Sequence, residues 1–243
     1  MTRTNSFGQP IGEALPDGWA PPPVPAVGTA AGNLVRLERL DAERHAAGLY
    51  SPEDMRADNP GWTYLPYGPF ESLSGYRTWV REAAAGADPQ FYAIVSQDSG
   101  AALGVCSYLR IDPGAGSIEV GHIWMSGRLQ RTVMATEAMY LMMQQAFDLG
   151  YRRYEWKCDA LNAPSGRAAA RLGFAYEGTF LQATHYKGRN RDTAWYAITD
   201  GDWPLCRAAL EAWLASSNFD GNGRQLEPLE TIRARLAREE ETA

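Results

Sequence analysis

Between residues 117 and 174 the hydrophobic period of this chain switches from two to about 3.6 and back again, twice over. A β-rich run, Ser117–Met125 (SIEVGHIWM), leads into a short polar segment (SGRLQRT). Met134, Ala138, Leu141, Met142, Ala146 and Leu149 then recur at helical spacing until Gly150 ends the series. A second β-rich run covers 153–158, and after a polar turn a short helical stretch covers 165–172, closed by Gly173. Two adjacent parallel strands joined by a long helix place that helix's start at the strands' C-terminal ends. Such a start carries unpaired N–H groups and a partial positive charge, which suits a phosphate. Any strand–helix–strand unit offers this geometry, so the surrounding residues must say whether it is used.

The flanking segments fix the rest of the architecture. Alternation at 34–40 predicts a strand, and Asp41 is a candidate N-cap for a helix reaching Tyr50. The stretch 59–70 is too rich in proline and glycine for a regular element, whereas Leu73, Tyr76 and Val80 predict a helix over 71–85. Runs at 91–96 and 102–111 flank a hairpin signal, and a turn at 112–116 feeds Ser117–Met125. Strands Ala175–Tyr186 and 191–199 flank a turn at 187–190, and a last predicted helix covers 202–215. Hairpins, a crossover unit and another hairpin describe an α/β (α+β) fold, a mixed, mostly antiparallel twisted sheet flanked by helices. Three units follow: a Pro/Gly-rich arm at 1–32, a folded domain at 33–200, and a C-terminal helical extension at 201–243.

Composition removes several function classes. No run approaches a membrane span, and the polar start lacks the basic and apolar regions of a signal peptide, which predicts a cytoplasmic protein. A formal net charge of −6 argues against broad nucleic-acid binding. The three cysteines and three histidines lie far apart in sequence, so neither a disulfide framework nor a locally built metal site is expected.

Three segments resemble the Gcn5-related N-acetyltransferases (GNAT), most closely the branch that acetylates ribosomal-protein amino termini. The first runs from Ser117 to Ala138, with Gln130, Arg131, Thr132, Val133, Met134 and Ala135 where the family has Gln/Arg-x-x-Gly-x-Gly/Ala, followed by Thr136. The second contains Asn162, Ser165 and Leu172-Gly173-Phe174, and the third is the closing hairpin from Gly178 to Ala197. The resemblance implies the acyl-CoA N-acyltransferase fold over about residues 34–200, with acetyl-CoA as co-substrate and no metal. Val133 departs from the pattern, since it stands where the family has its first loop glycine. Its Cβ must point away from the phosphates, or the loop must shift. Thr132 could compensate with a hydroxyl donor, and Arg128 and Arg131 with charge.

The implied chemistry is acetyl transfer to an amine, which must lose a proton before it attacks. Backbone N–H groups near Ile123, Trp124 and Met125 would meet the oxyanion, in a slot where the strand parts from its parallel neighbour. Asn162 would bond the pantetheine arm and Ser165 would protonate the leaving sulfur, although both residues also suit helix capping. Glu119 is the first candidate for the base; its alternative is a carboxylate on a solvated strand face. His122 is the second, yet three positions separate it from Glu119, so the two share a pocket only if the strand bulges. Trp62, Tyr64 and Tyr67 fall where the family's acceptor lobe lies and could hold an ammonium, or simply pack the loop. His185, near the closing hairpin, is a weaker candidate to border the same cleft.

The expected acceptor is a small-molecule amine or a peptide N-terminus, and the acidic balance favours a cationic one. The competing reading is a non-catalytic member of the fold that binds CoA or another partner, with Val133 in its favour and Glu119, Asn162 and Ser165 against it. The arm at 1–32 is available to cover the cleft or a neighbouring subunit, so a homodimer stays among the expectations.

Overall fold

Alternating apolar residues in six central strands give the sheet two buried faces, and each face recruits its own helices. The computed structural model describes residues 3–26 and 28–242. A small hairpin of β1 (Arg3–Thr4) and β2 (Pro10–Ile11) opens the chain. Next come β3 (Ala30–Ala31), β4 (Val35–Arg39), α1 (Ala42–Leu49), α2 (Leu73–Ala85), β5 (Gln90–Ser96), β6 (Ala102–Asp112) and β7 (Ser117–Met125). Then α3 (Val133–Asp148) crosses to β8 (Arg153–Asp159), followed by α4 (Ala163–Leu172), β9 (Ala175–Tyr186), β10 (Arg189–Thr199), α5 (Trp203–Leu214) and α6 (Leu229–Glu241). One eight-stranded sheet results, in the order β3-β4-β5-β6-β7-β8-β10-β9, and only the β7–β8 pair is parallel.

Ile118, Val120, Tyr154, Trp156 and Cys158 point to the face covered by α3, α4 and the C-terminal helices. Phe91, Ala93, Val105 and Trp124 point to the other, under α1 and α2. Trp203, Leu210, Trp213, Leu229 and Ile232 belong to the first core, so residues 201–242 complete it instead of standing apart. Leu229 and Ile232 anchor α6, a helix that hydrophobic periodicity does not announce because its remaining surface is charged.

Local chemistry sets the element ends. Asp41 caps α1 by accepting from the Glu43 and Arg44 N–H groups. The turn between β9 and β10 is tighter than the predicted four residues: Tyr186 pairs with Arg189, and Lys187 and Gly188 both have positive φ, the arrangement that matches strand twist. The arm is anchored away from the sheet's C-terminal edge. The Tyr151 hydroxyl donates to the Pro23 carbonyl at 3.3 Å, and Trp19 lies against Gly116, both at the opposite end. Among the described residues no helix is long and apolar enough to cross a membrane.

Candidate active site

Two irregularities in β7 build the site. Its pairing with β8 runs from Ser117↔Arg153 to Val120↔Trp156 and stops there. Beyond that point residues 121–125 follow β6 alone and residues 157–159 follow β10 alone, so a slot opens at the C-terminal edge of the sheet. The second irregularity is a bulge. Gly121 pairs with Ser107 and Trp124 with Val105, so His122 and Ile123 together oppose the single residue Cys106. His122 takes φ +50°, in the left-handed region. The extra residue turns the His122 ring to the same side as Glu119, and the condition for the two to share a pocket is met.

Glu119 is not on a solvated face; it is 3% exposed. Its Oε2 lies 2.6 Å from Arg110 Nη1 and 3.0 Å from Lys157 Nζ. Lys157 also reaches Glu155 at 2.7 Å and sits 3.5 Å over the Trp195 ring. Arg153 continues the chain of ion pairs to Glu155 and Glu177. Burial pushes the Glu119 carboxyl above the usual carboxylate range, and the two cations counteract only part of this. A Cβ on Gly121 would come within 2.9 Å of Leu109 and 3.6 Å of Glu119 Oε1, so the glycine makes room for Leu109 to pack beside the carboxylate.

His122 stacks on Tyr67 with ring centroids 5.6 Å apart and packs against Phe91 at 5.1 Å. Burial, with Arg110 and Arg191 nearby, lowers its pKa to about 4. The ring is therefore neutral near pH 7, and its Nδ1 is buried without a partner. The Tyr67 hydroxyl is likewise buried and unpartnered, and burial raises its pKa. Trp62, in contrast, is core: it is 2% exposed, donates to the Asp54 carbonyl at 2.8 Å and stacks on Trp124. Tyr64 ties the loop to the Leu161 carbonyl at 3.1 Å. His185 alternates to the opposite side of β9 from Tyr186 and is exposed, so it does not join the cleft.

The closing hairpin grips the aromatic loop from above. Lys187 Nζ donates to the carbonyls of Trp62 and Gly68, each at 2.8 Å, and Arg189 donates to that of Thr63 at 2.6 Å. The Tyr186 hydroxyl donates to Asp159 at 2.7 Å, at the end of β8.

At the α3 start, Gln130 donates to the Met125 carbonyl, and Leu129 is fully buried beneath the loop. The Thr132 hydroxyl donates to the Leu129 carbonyl at 2.7 Å and accepts from the Ala135 N–H at 3.3 Å. It is thus the N-cap, not a spare donor for a phosphate. Val133, Met134 and Ala135 pack against the main core, so the valine side chain turns inward. Thr136 is buried and accepts from Arg171 at 3.1 Å, while Arg128 and Arg131 are exposed. Ile123 and Met125 also pack on that core, and their backbone forms the slot wall. Asn162, not Ser165, caps α4, accepting from the Ser165 N–H at 3.2 Å. The Ser165 hydroxyl sits beside the Cys158 thiol and accepts from the Trp156 indole at 3.0 Å.

Arg110, Lys157 and Arg191 are site residues that the sequence does not single out. Lys157 alternates in phase with Glu155, which is a usable signal; Arg110 and Arg191 give none, because their positions depend on a bulge in β6 and on one in β9 opposite Asp192. Together they gather three cations around His122 and Glu119, of which Arg110 and Lys157 are paired with carboxylates. Among the described residues no group of His, Cys, Asp and Glu is arranged to hold a metal ion.

The family model for the acetyltransferase (GNAT) domain matches residues 33–175. A GCN5-related N-acetyltransferase from Brucella melitensis is 42% identical with a TM-score of 0.86, over 89% of this chain and 99% of that one. A probable GNAT-family acetyltransferase from Chromobacterium violaceum is 41% identical with a TM-score of 0.73, over 81% and 99%. RimL, a ribosomal L7/L12 alpha-N-protein acetyltransferase, shares the fold at 23% identity and a TM-score of 0.59, over 71% of this chain and 94% of its own. No curated protein matches the sequence.

Proposed function

Because the chain belongs to the GNAT acetyltransferase family, we propose that it moves an acetyl group from acetyl-CoA to a primary amine, of a small molecule or a peptide N-terminus, by direct attack. The observation that carries this is the parting of β7 from β8 after Val120 and Trp156, with Glu119 on the floor below and the α3 start at its edge. The backbone of residues 121–125, which has no β8 partner, suits an extended pantetheine arm laid alongside it. The inward packing of Val133 leaves the main chain at the α3 start clear for the pyrophosphate. That also removes the argument for a non-catalytic module, which rested on the valine.

An ammonium must shed a proton to become a nucleophile, and Glu119 is the group to take it, directly or through one water. Its raised pKa makes it a stronger base than an exposed carboxylate. Neutral His122 lines the same cleft and accompanies the base without a charge of its own. Asn162, at the cap of α4, is assigned to the pantetheine arm. Ser165 is assigned to protonation of the departing sulfur, a role compatible with its accepting from the Trp156 indole, since that bond leaves the hydroxyl's own proton free to be donated.

Calorimetric titration tests the cofactor half. Saturable binding shared by acetyl-CoA and desulfo-CoA, and absent with ATP, is expected; no binding at millimolar concentration overturns the reading. Thiol release with an amine panel tests the rest, and Glu119→Gln should lower turnover about a hundredfold with acetyl-CoA affinity retained.

A further inference from the structure

One cation at the slot mouth has no acid to pair with among the described residues. The acids nearby are engaged: Glu119 by Arg110 and Lys157, Asp159 by the Tyr186 hydroxyl and the Leu161 N–H, and Asp192 by the Gln182 N–H and Asn190. Lys187 and Arg189 spend their donors on loop carbonyls. Arg191 makes no side-chain hydrogen bond or ion pair with any described residue, and its Nε is buried without a partner. Its guanidinium lies 5.8 Å from the Tyr186 ring centroid, held on a residue that is itself tied to the end of β8. It is close enough to His122 on one side of the opening and Cys158 on the other for its charge to act on both. A half-buried guanidinium fork without an acid is costly, and a carboxylate or phosphate satisfies it with two parallel hydrogen bonds. The Tyr67 hydroxyl, His122 Nδ1 and Trp195 Nε1 are further buried polar groups here without partners.

We propose that Arg191 holds the anionic group, a carboxylate or phosphate, of an acceptor whose amine lies over Glu119. This rests on the acetyl-transfer reading above and names the substrate class it left open. The acceptor is then a molecule with an amine at one end and an anion at the other, long enough to span from Glu119 to the closing hairpin.

The test is a binding titration with CoA saturating, using ω-amino carboxylates of increasing length, aminoalkyl phosphates, and the ω-amino amides of matching length. Wild type, Arg191→Gln and Arg191→Lys are compared, and each is also titrated with acetyl-CoA and dephospho-CoA. At least one anionic compound should bind tenfold or more tightly than its amide. Arg191→Gln should abolish that advantage, Arg191→Lys should keep part of it, and acetyl-CoA affinity should stay within twofold. Whether the carboxylates or the phosphates win separates the two anions. The proposal is overturned if no anionic compound outbinds its amide, or if the advantage survives Arg191→Gln. It is also overturned if Arg191→Gln weakens CoA but not dephospho-CoA, since Arg191 would then serve the cofactor's own phosphate. Failure of wild type to bind acetyl-CoA at all sinks the acetyl-transfer reading instead, so the two failures are distinct.

Discussion

Glu119 lies beneath two cations and is still harder to ionise than an exposed glutamate, because burial outweighs the attraction of Arg110 and Lys157. If it is the base, kcat/KM should climb as pH rises through its pKa, with that limb above the ordinary glutamate range. Arg110→Gln removes one of the opposing attractions and should move the limb to higher pH, less so at high salt because Arg110 is mostly exposed. A limb that stays in place assigns it to another group. His122 works in the opposite sense. Its folded pKa of about 4 lies below the unfolded value, so its contribution to stability is complete above pH 6.5 and is lost as pH falls through 4. The loss amounts to about 3 kcal/mol. Urea titrations across that window should therefore show wild type weakening more steeply than His122→Asn, in which the new side chain tolerates positive φ and carries no titrating ring. Parallel curves would mean that the imidazole is more hydrated than its stacking on Tyr67 and Phe91 implies.

At the scale of elements, the α3 start is fixed by a carboxylate. Glu137 is 4% exposed and accepts from the N–H groups of Asn33, Leu34 and Val35 at 2.7–2.8 Å, which pins β4 to the helix that borders the slot. Glu137→Gln replaces one acceptor oxygen by a donor facing donors, and should cost about 2–4 kcal/mol in a urea unfolding midpoint, with acetyl-CoA affinity falling alongside. The hairpin clamp predicts a different pattern. Lys187→Met frees the carbonyls of Trp62 and Gly68, so it should raise KM for the acceptor severalfold and leave acetyl-CoA binding unchanged. The elements themselves are readable in the sequence wherever period and punctuation agree, as in α3 with Gly150 or the β9–β10 hairpin. The slot is not, for a physical reason. A strand's period says which residues share a face, but a bulge is set by how many residues the partner strand supplies, and nothing in SIEVGHIWM announces that Cys106 alone faces His122 and Ile123. Glu119 is legible through a family resemblance, but its burial is not, because Lys157 and Arg110 reach it from neighbouring strands. Arg191 is invisible for the complementary reason: its lack of an acid is a property of the folded cleft.

Across the whole molecule, charge and arm show how little a sum over the chain says about a site. The formal charge of −6 suggests a cationic acceptor, whereas the cleft gathers Arg110, Lys157 and Arg191. The arm, left free by the sequence to cover that cleft, is anchored through Trp19 and Pro23 at the other end of the sheet. Its first part is exposed, with Phe7 85% and Leu15 49% accessible, while Pro22 and Pro25 are buried and Trp19 lies 3.2 Å from the Cβ position of Gly116. Two truncations separate these parts. Removing residues 1–15 takes away only the exposed hairpin, and should leave the melting temperature within about 2 °C and turnover unchanged. Removing residues 1–25 strips Trp19 and Pro22 and frees the Tyr151 hydroxyl, which should cost about 2 kcal/mol, or ~4–8 °C. The Kd for acetyl-CoA and the KM for the acceptor should still hold, since Trp19 and Pro23 meet the sheet at the N-terminal ends of β7 and β8, whereas the slot opens at their C-terminal ends. Thermal melts and steady-state kinetics on the two truncations decide it. A KM that rises when only residues 1–15 are removed would mean that the hairpin reaches the cleft of another molecule, the one route by which an arm anchored at the far end could touch the chemistry.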